Sequence, residues 1–133
     1  DSMLRDVYSG RLKLTGEEHE STLTAANNYA ADLIDLKRFV EARSLLRKTT
    51  PTARRVFGDS HDYTLRTRCT YARALHQDPA ATLDDRREAV TTLEDAERTA
   101  RRVFGGAHPF VEQVEHFLRE SRGLLHKKRK TSG

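Results

Sequence analysis

The chain contains no tryptophan, one cysteine (Cys69), three prolines and seven glycines. A single cysteine excludes an intramolecular disulfide. So few prolines and glycines exclude collagen-like and loop-rich architectures. Aromatic residues make up only 7% of the chain, so a core has to be assembled largely from Leu, Ala and Val. No apolar run approaches the ~20 residues needed to cross a bilayer, and no charged-apolar-small leader opens the chain. Neither a membrane association nor secretion is therefore expected, and the expected location is cytoplasmic. The body also lacks an excess of either charge. The 133 residues hold 24 Lys and Arg against 20 Asp and Glu, and 126–133 (HKKRKTSG) carries Lys127, Lys128, Arg129 and Lys130 with no acid. The basic pI belongs to this C-terminal tail, which weakens the expectation of nucleic-acid binding that a basic protein otherwise raises. The tail reads as a solvated end, with nuclear import or phosphate contact as the alternatives.

The informative feature is a repeat. RRVFGDSHDYTL at 54–65 returns as RRVFGGAHPFVE at 101–112, and LKLTGEEHESTL at 12–23 keeps the same frame through Gly16, His19, Thr22 and Leu23. Gly16 to Gly58 spans 42 residues and Gly58 to Gly105 spans 47. Tyr29-Ala30 still matches Tyr71-Ala72 at 42, whereas Glu41-Ala42 matches Glu88-Ala89 at 47. The five extra residues therefore fall between about Leu75 and Arg86, a stretch containing Asp78-Pro79-Ala80-Ala81.

Each unit reads as two helices. Leu23, Ala26, Ala30 and Leu33 share one helical face, and Phe39, Ala42, Leu45, Leu46 and Ala53 form a second stripe. The pattern predicts an all-α chain of antiparallel helix hairpins stacked as a solenoid, with helices over about 2–14, 20–36, 39–56, 62–78, 85–104 and 109–126. Repeat units 16–57 and 58–104 are flanked by half repeats 2–15 and 105–125, and 126–133 is the tail. Glu20, Ser21 and Asp62 are expected to serve the free amides where helices begin. Pro109 suits a first helical turn. Gly16, Gly58 and Gly105 are expected as left-handed caps. Pro51 is expected to kink or break its helix, at ~3 kcal/mol in an unadapted one.

The sequence G-x-x-H-x-x-T-L, then N-N-Y-A-A, then F-x-E-A-x-x-L-L occurs here as Gly16, His19, Thr22, Leu23, Asn27, Asn28, Tyr29 and Ala30, followed by Phe39, Glu41, Ala42, Leu45 and Leu46. It resembles the 42-residue tetratricopeptide repeats of kinesin light chains and their relatives, over about residues 2–125. The second unit departs from the pattern with Cys69-Thr70 in place of the paired asparagines, and the last with His116-Phe117. The resemblance implies a right-handed superhelix whose first helix of each hairpin lines a concave groove. It also implies a protein-interaction module that holds an extended peptide. Its groove positions fall on Thr24, Asn27, Ala31 and Asp35, then Arg66, Cys69, Arg73 and Gln77, then Gln113, His116 and Glu120. Asn27 offers both a donor and an acceptor to a peptide backbone. Arg66 and Arg73, two turns apart, can clamp carboxylates, so an acidic peptide is the sharpest ligand. The bland alternative is that Asp35 or Glu120 simply pairs with these arginines.

No glycine-rich phosphate loop or nucleophile elbow occurs, so neither an enzyme nor a cofactor is expected. His19, His61 and His108 recur one per layer, too far apart to converge on a metal, which points to a structural role at the inter-repeat turn. Cys69 and His76 share a helical face without a third group to orient them. The competing functions are a docking module for a protein partner, a spacer that self-associates through open solenoid ends, and nucleic-acid contact through Lys127–Lys130.

Overall fold

A computed structural model describes the backbone of residues 2–132 and the side chains of 3–127. Six helices are present among the described residues and no strand: α1 Ser2–Thr15, α2 Glu20–Asp35, α3 Phe39–Phe57, α4 Asp62–His76, α5 Leu83–Phe104 and α6 Pro109–Ser132. The last helix runs on past 126, where the sequence pattern ended it. The side chains of Lys128, Arg129 and Lys130 lie outside the described residues. Among those described, no helix is long and apolar enough to cross a membrane.

Each helix packs on the next along the chain, and α2 also packs on α4, and α4 on α6. The alternate helices α1, α3 and α5 make no such approach to one another. The even-numbered helices therefore crowd along the inner side of the stack and the odd-numbered ones splay on the outer side, which makes the even-numbered side concave. Close approach is permitted by alanine. Ala26, Ala30, Ala42, Ala53, Ala72, Ala89, Ala96 and Ala100 are all fully buried. Leu33, Leu46, Leu65, Leu75 and Leu93 fill the space between layers, each contributing about 1.5–3 kcal/mol by leaving water. The buried side chains form one cluster around α2 and α3 and another around α4, α5 and α6, and Tyr71 packs against both.

The same turn joins successive layers three times. Gly16, Gly58 and Gly105 have φ of 84°, 88° and 88°. Positive φ matches the sequence reading, but ψ is 165° at Gly58 and 153° at Gly105, a region that is essentially glycine-only rather than the ordinary left-handed helical one. Three residues later a histidine caps the next helix. The Nδ1 atoms of His19, His61 and His108 accept from the amides of Ser21, Tyr63 and Phe110 at 3.0, 3.1 and 3.1 Å. This corrects the sequence reading, which gave that work to Glu20, Ser21 and Asp62. The acids lie in the first turn, where they suit the helix dipole, but the ring nitrogen makes the cap. His61 is also stacked on Phe57 and Tyr63, with centroids 4.7 and 5.2 Å away. Register is held by a bond that repeats: Thr22 Oγ1 donates to the Arg11 carbonyl, and Thr64 Oγ1 to the Ala53 carbonyl, each at 3.2 Å.

The break expected at Pro51 is absent, and α3 continues through it to Phe57. Pro51 has no amide for the Arg47 carbonyl, yet Leu46 and Ala53 on either side are fully buried and anchor both halves of the helix. The five-residue insertion is divided. Six residues, 77–82, separate α4 from α5, against three, 36–38, between α2 and α3. In addition α5 begins at Leu83, three residues ahead of Arg86, the position that answers Phe39. Asp78 leaves the helix because its carboxylate is used elsewhere: it accepts from the Ala80 amide at 2.9 Å and pairs with Arg43 at 2.8 Å. Thr82 and Asp85 then form a reciprocal capping box that starts α5. The α2–α3 turn is tighter, a Schellman cap in which Lys37 takes φ 63°.

Replacing His61 with Ala should destabilise the protein by about 1–2 kcal/mol in urea denaturation, from lost capping and stacking together. Replacing it with Asn should recover the capping part; equal losses in both variants would show that the ring nitrogen does not act as the cap.

Candidate functional site

On the concave side, α2, α4 and α6 enclose a cleft of about 170 Å³ lined by Asn27, Ala31, Arg66, Cys69, Thr70, Arg73, Phe110, Gln113 and Phe117. Six of the eleven positions assigned to the groove from sequence meet here: Asn27, Ala31, Arg66, Cys69, Arg73 and Gln113. The other five do not line it. Thr24 is half-buried on α2 one turn earlier. Asp35 is exposed one turn beyond Ala31 and stands 3.7 Å from Arg73 Nη2. His116 is exposed, with its ring 5.7 Å from that of Phe117. Gln77 and Glu120 are drawn into a different contact, described below.

The cleft's cations are held against aromatic rings. The Arg66 guanidinium lies 4.7 Å from the centroid of Phe110, and that of Arg73 lies 5.3 Å from Phe117. Each contact is worth about 0.5–1 kcal/mol at a partly exposed site, and it orients the guanidinium plane. Arg66 Nε also donates to Asp62 at 2.8 Å, outside the lining. Among the described residues, no carboxylate lines the cleft. Two polar atoms are buried there without a hydrogen-bond partner, Asn27 Oδ1 and Arg73 Nε. A buried polar group left unpaired costs about 1–3 kcal/mol, so both atoms favour an incoming group that bonds to them. Cys69 lies in the floor, 4% exposed, and burial pushes its thiol up to about 12. It stays protonated near neutral pH and contributes a small apolar surface rather than a nucleophile.

Phe110 and Phe117 were missed as site residues from sequence. Their seven-residue spacing puts them on one face of α6 and could have marked them, but only packing shows that this face meets α4. His76 was noted as Cys69's neighbour, and its actual environment is distinct. Its ring is fully buried, and Nε2 donates to Glu120 Oε1 at 2.8 Å, an atom that also accepts from Gln77 Nε2 at 3.2 Å. Of the two acids that could have answered the groove arginines, Glu120 is therefore engaged by this histidine. Burial holds the imidazole below its ordinary pKa, against the opposing pull of Glu120, and Arg73 and Arg86 add to the depression.

The folded protein thus keeps His76 neutral where an unfolded chain would take up a proton. As pH falls below about 6.5 the unfolded state binds more protons, and stability declines. The melting temperature should drop between about pH 7.5 and pH 5.5, and His76→Gln should show a smaller drop over that range. An identical drop in both proteins would remove His76 as a source of the dependence.

Residues 13–78 match a family model described as tetratricopeptide repeat, a segment that runs from the last residues of α1 to the end of the α4 region. No curated protein matches the chain. Stacked helix hairpins, the recurring Gly-x-x-His turn and this match agree: the chain is a tetratricopeptide repeat protein, of a class that generally serves as protein–protein interaction modules.

Proposed function

We propose that the concave cleft docks an acidic, extended segment of a partner protein. The observation that carries this reading is the pairing of two ring-stacked arginines, Arg66 and Arg73, with an unpaired amide oxygen on Asn27 in a lining without carboxylates. Partner carboxylates meet guanidinium groups whose planes are already oriented, so less freedom is lost on binding. Asn27 Oδ1 accepts a backbone amide of the segment, and Gln113 on α6 supplies a further donor and acceptor across the cleft. The Asp35 carboxylate, exposed and 3.7 Å from Arg73, is a weak competitor that a better-placed partner acid displaces.

Fluorescence anisotropy with labelled acidic, neutral and basic extended peptides tests this. Acidic peptides should bind selectively, and Arg66→Glu with Arg73→Glu should weaken them by about tenfold or more at unchanged helicity. Equal binding of basic peptides, or indifference to the double reversal, would overturn the proposal.

Self-association is favoured as a second reading by one end of the stack only. On α1, Met3, Val7 and Leu14 are 75%, 45% and 81% exposed and fall on one face at coiled-coil spacing. At the other end, the outward row of α6 is polar, with Glu112, His116 and Arg119 exposed. Copies would therefore pair α1 against α1. Val7→Glu with Leu14→Glu should abolish any rise of mass with concentration in light scattering, and a mass independent of concentration in the unaltered protein would discard this reading.

A further inference from the structure

The three layers can be compared at one place on the outer side, where each odd-numbered helix meets the next even-numbered one. The repeated Thr22–Arg11 and Thr64–Ala53 bonds fix the correspondence, since both pairs are offset by the same 42 residues. In the first layer the place is filled by a tyrosine pair. Tyr8 on α1 stacks on Tyr29 on α2, with centroids 6.2 Å apart and planes 28° from parallel. In the third layer the corresponding residues are Glu97 and Leu118, and charge fills the gap. Arg101 bonds Glu97 at 2.6 Å and also Glu115, Arg122 bonds Glu94 at 3.0 Å, and a cleft of only about 170 Å³ remains.

The middle layer has neither filling. Tyr71 is present at the position of Tyr29, but the residue that answers Tyr8 is Thr50, followed by Pro51. The ring that would cover Tyr71 is missing, and a cleft of about 620 Å³ stands there, lined by Leu46, Arg47, Thr50, Pro51, Arg54, Arg55, Asp59 and Tyr71. That volume is within the usual range for small-molecule sites, about 300–1,000 Å³. Its chemistry is specific. Three guanidinium groups face one carboxylate, and that carboxylate, Asp59, already accepts from Arg54 Nε at 2.7 Å. Arg55 reaches outward to Glu18 at 3.1 Å, an exposed pair that a ligand anion can replace. The Tyr71 hydroxyl donates to Glu88 at 2.9 Å beside the Arg47 guanidinium, which fixes the ring at the floor. Thr50 Oγ1 is buried in the lining without a hydrogen-bond partner.

We propose that this outer cleft is a binding site for a small planar aromatic anion. Its ring takes the place on Tyr71 that Tyr8 takes on Tyr29. Its carboxylate or phosphate meets Arg54 and Arg55, and Thr50 Oγ1 donates to it or to a polar ring substituent. An aromatic face is required because the floor is a ring whose stacking partner is absent. A negative charge is required because the lining itself holds three guanidinium groups and one carboxylate, the balancing acids Glu18 and Glu88 lying outside it. The site is separate from the concave cleft and shares no lining residue with it.

Isothermal titration with four probes tests the proposal: 2-naphthoate, 2-naphthyl phosphate, neutral 2-naphthylmethanol and non-aromatic cyclohexanecarboxylate. The aromatic anions should bind, with the other two weaker by about tenfold or more. The stronger of the two anions identifies carboxylate or phosphate as the natural group. Thr50→Tyr rebuilds the first layer's stack and should abolish binding while keeping or raising the melting temperature. Should that variant fold poorly, Arg54→Gln with Arg55→Gln alters only exposed side chains and should weaken the anions by about tenfold. Arg66→Glu with Arg73→Glu in the concave cleft should leave this binding unchanged. No binding of either aromatic anion, equal binding of the neutral alcohol, or full binding by the folded Thr50→Tyr protein would each overturn the proposal.

Discussion

A four-residue turn, glycine then two residues then histidine, sets the geometry on which everything else in this molecule depends. The glycine ends one helix in a backbone conformation that a side chain would strain, with φ between 84° and 88° at all three occurrences. The histidine opens the next helix by giving its ring nitrogen to an otherwise unpaired amide. Because both ends of the turn are pinned, the angle between successive helices has little freedom. The alanines can then sit at closest approach and the leucines between layers. The threonine-to-carbonyl bond that follows repeats to within the same distance in the first two layers. Equivalence in sequence is thereby equivalence in space.

That constancy of backbone lets side chains alone decide what each layer does. At one outer position the series runs Tyr8, Thr50, Glu97, and the consequences are a stacked ring, an open cleft and an ion-pair network. On the inner side the series Asn27, Cys69, His116 has a similar effect: an amide with an unpaired oxygen, a protonated thiol in the floor, and an exposed ring beside Phe117. Arginine appears on both faces for different reasons. Arg66 and Arg73 lie on the rings of α6, which desolvates one face of each guanidinium. Arg54 and Arg55 stand at a rim, tied to exposed acids, and remain mostly in water.

Tertiary context overrode local preference at two places. Pro51 reads as a helix breaker, since it lacks an amide, and yet α3 passes through it. The loss is one backbone bond, set against the burial of Leu46 and Ala53 to either side, and the Thr49 and Thr52 hydroxyls bond back to the Leu45 and Lys48 carbonyls in the same turns. Asp78 is the converse case. The sequence pattern extends the fourth helix to this residue, but the helix ends at His76. Pairing of Asp78 with Arg43 on α3, and the bond from Arg86 Nη2 on α5 to the Asp78 carbonyl at 3.2 Å, anchor the inserted turn to both neighbours.

The repeat, its offsets of 42 and 47 residues and the all-helical class are legible in the sequence, and so are five of the six helices to within two residues at each end, while α6 runs six residues further than its pattern. Those properties follow from periodic apolar positions and from glycines whose conformation other residues avoid, and both are written along the chain. The sequence also carried six of the nine residues that line the inner cleft, because Asn27, Ala31, Arg66, Cys69, Arg73 and Gln113 are related by the repeat offset. Packing alone reveals that Phe110 and Phe117 support the arginines, that Glu120 is engaged by His76, and that the ring covering Tyr29 has no counterpart over Tyr71. Each of these is a contact between helices distant in sequence. Which side chain reaches which partner depends on the space left after packing, and that space is a property of three helices together rather than of any one segment.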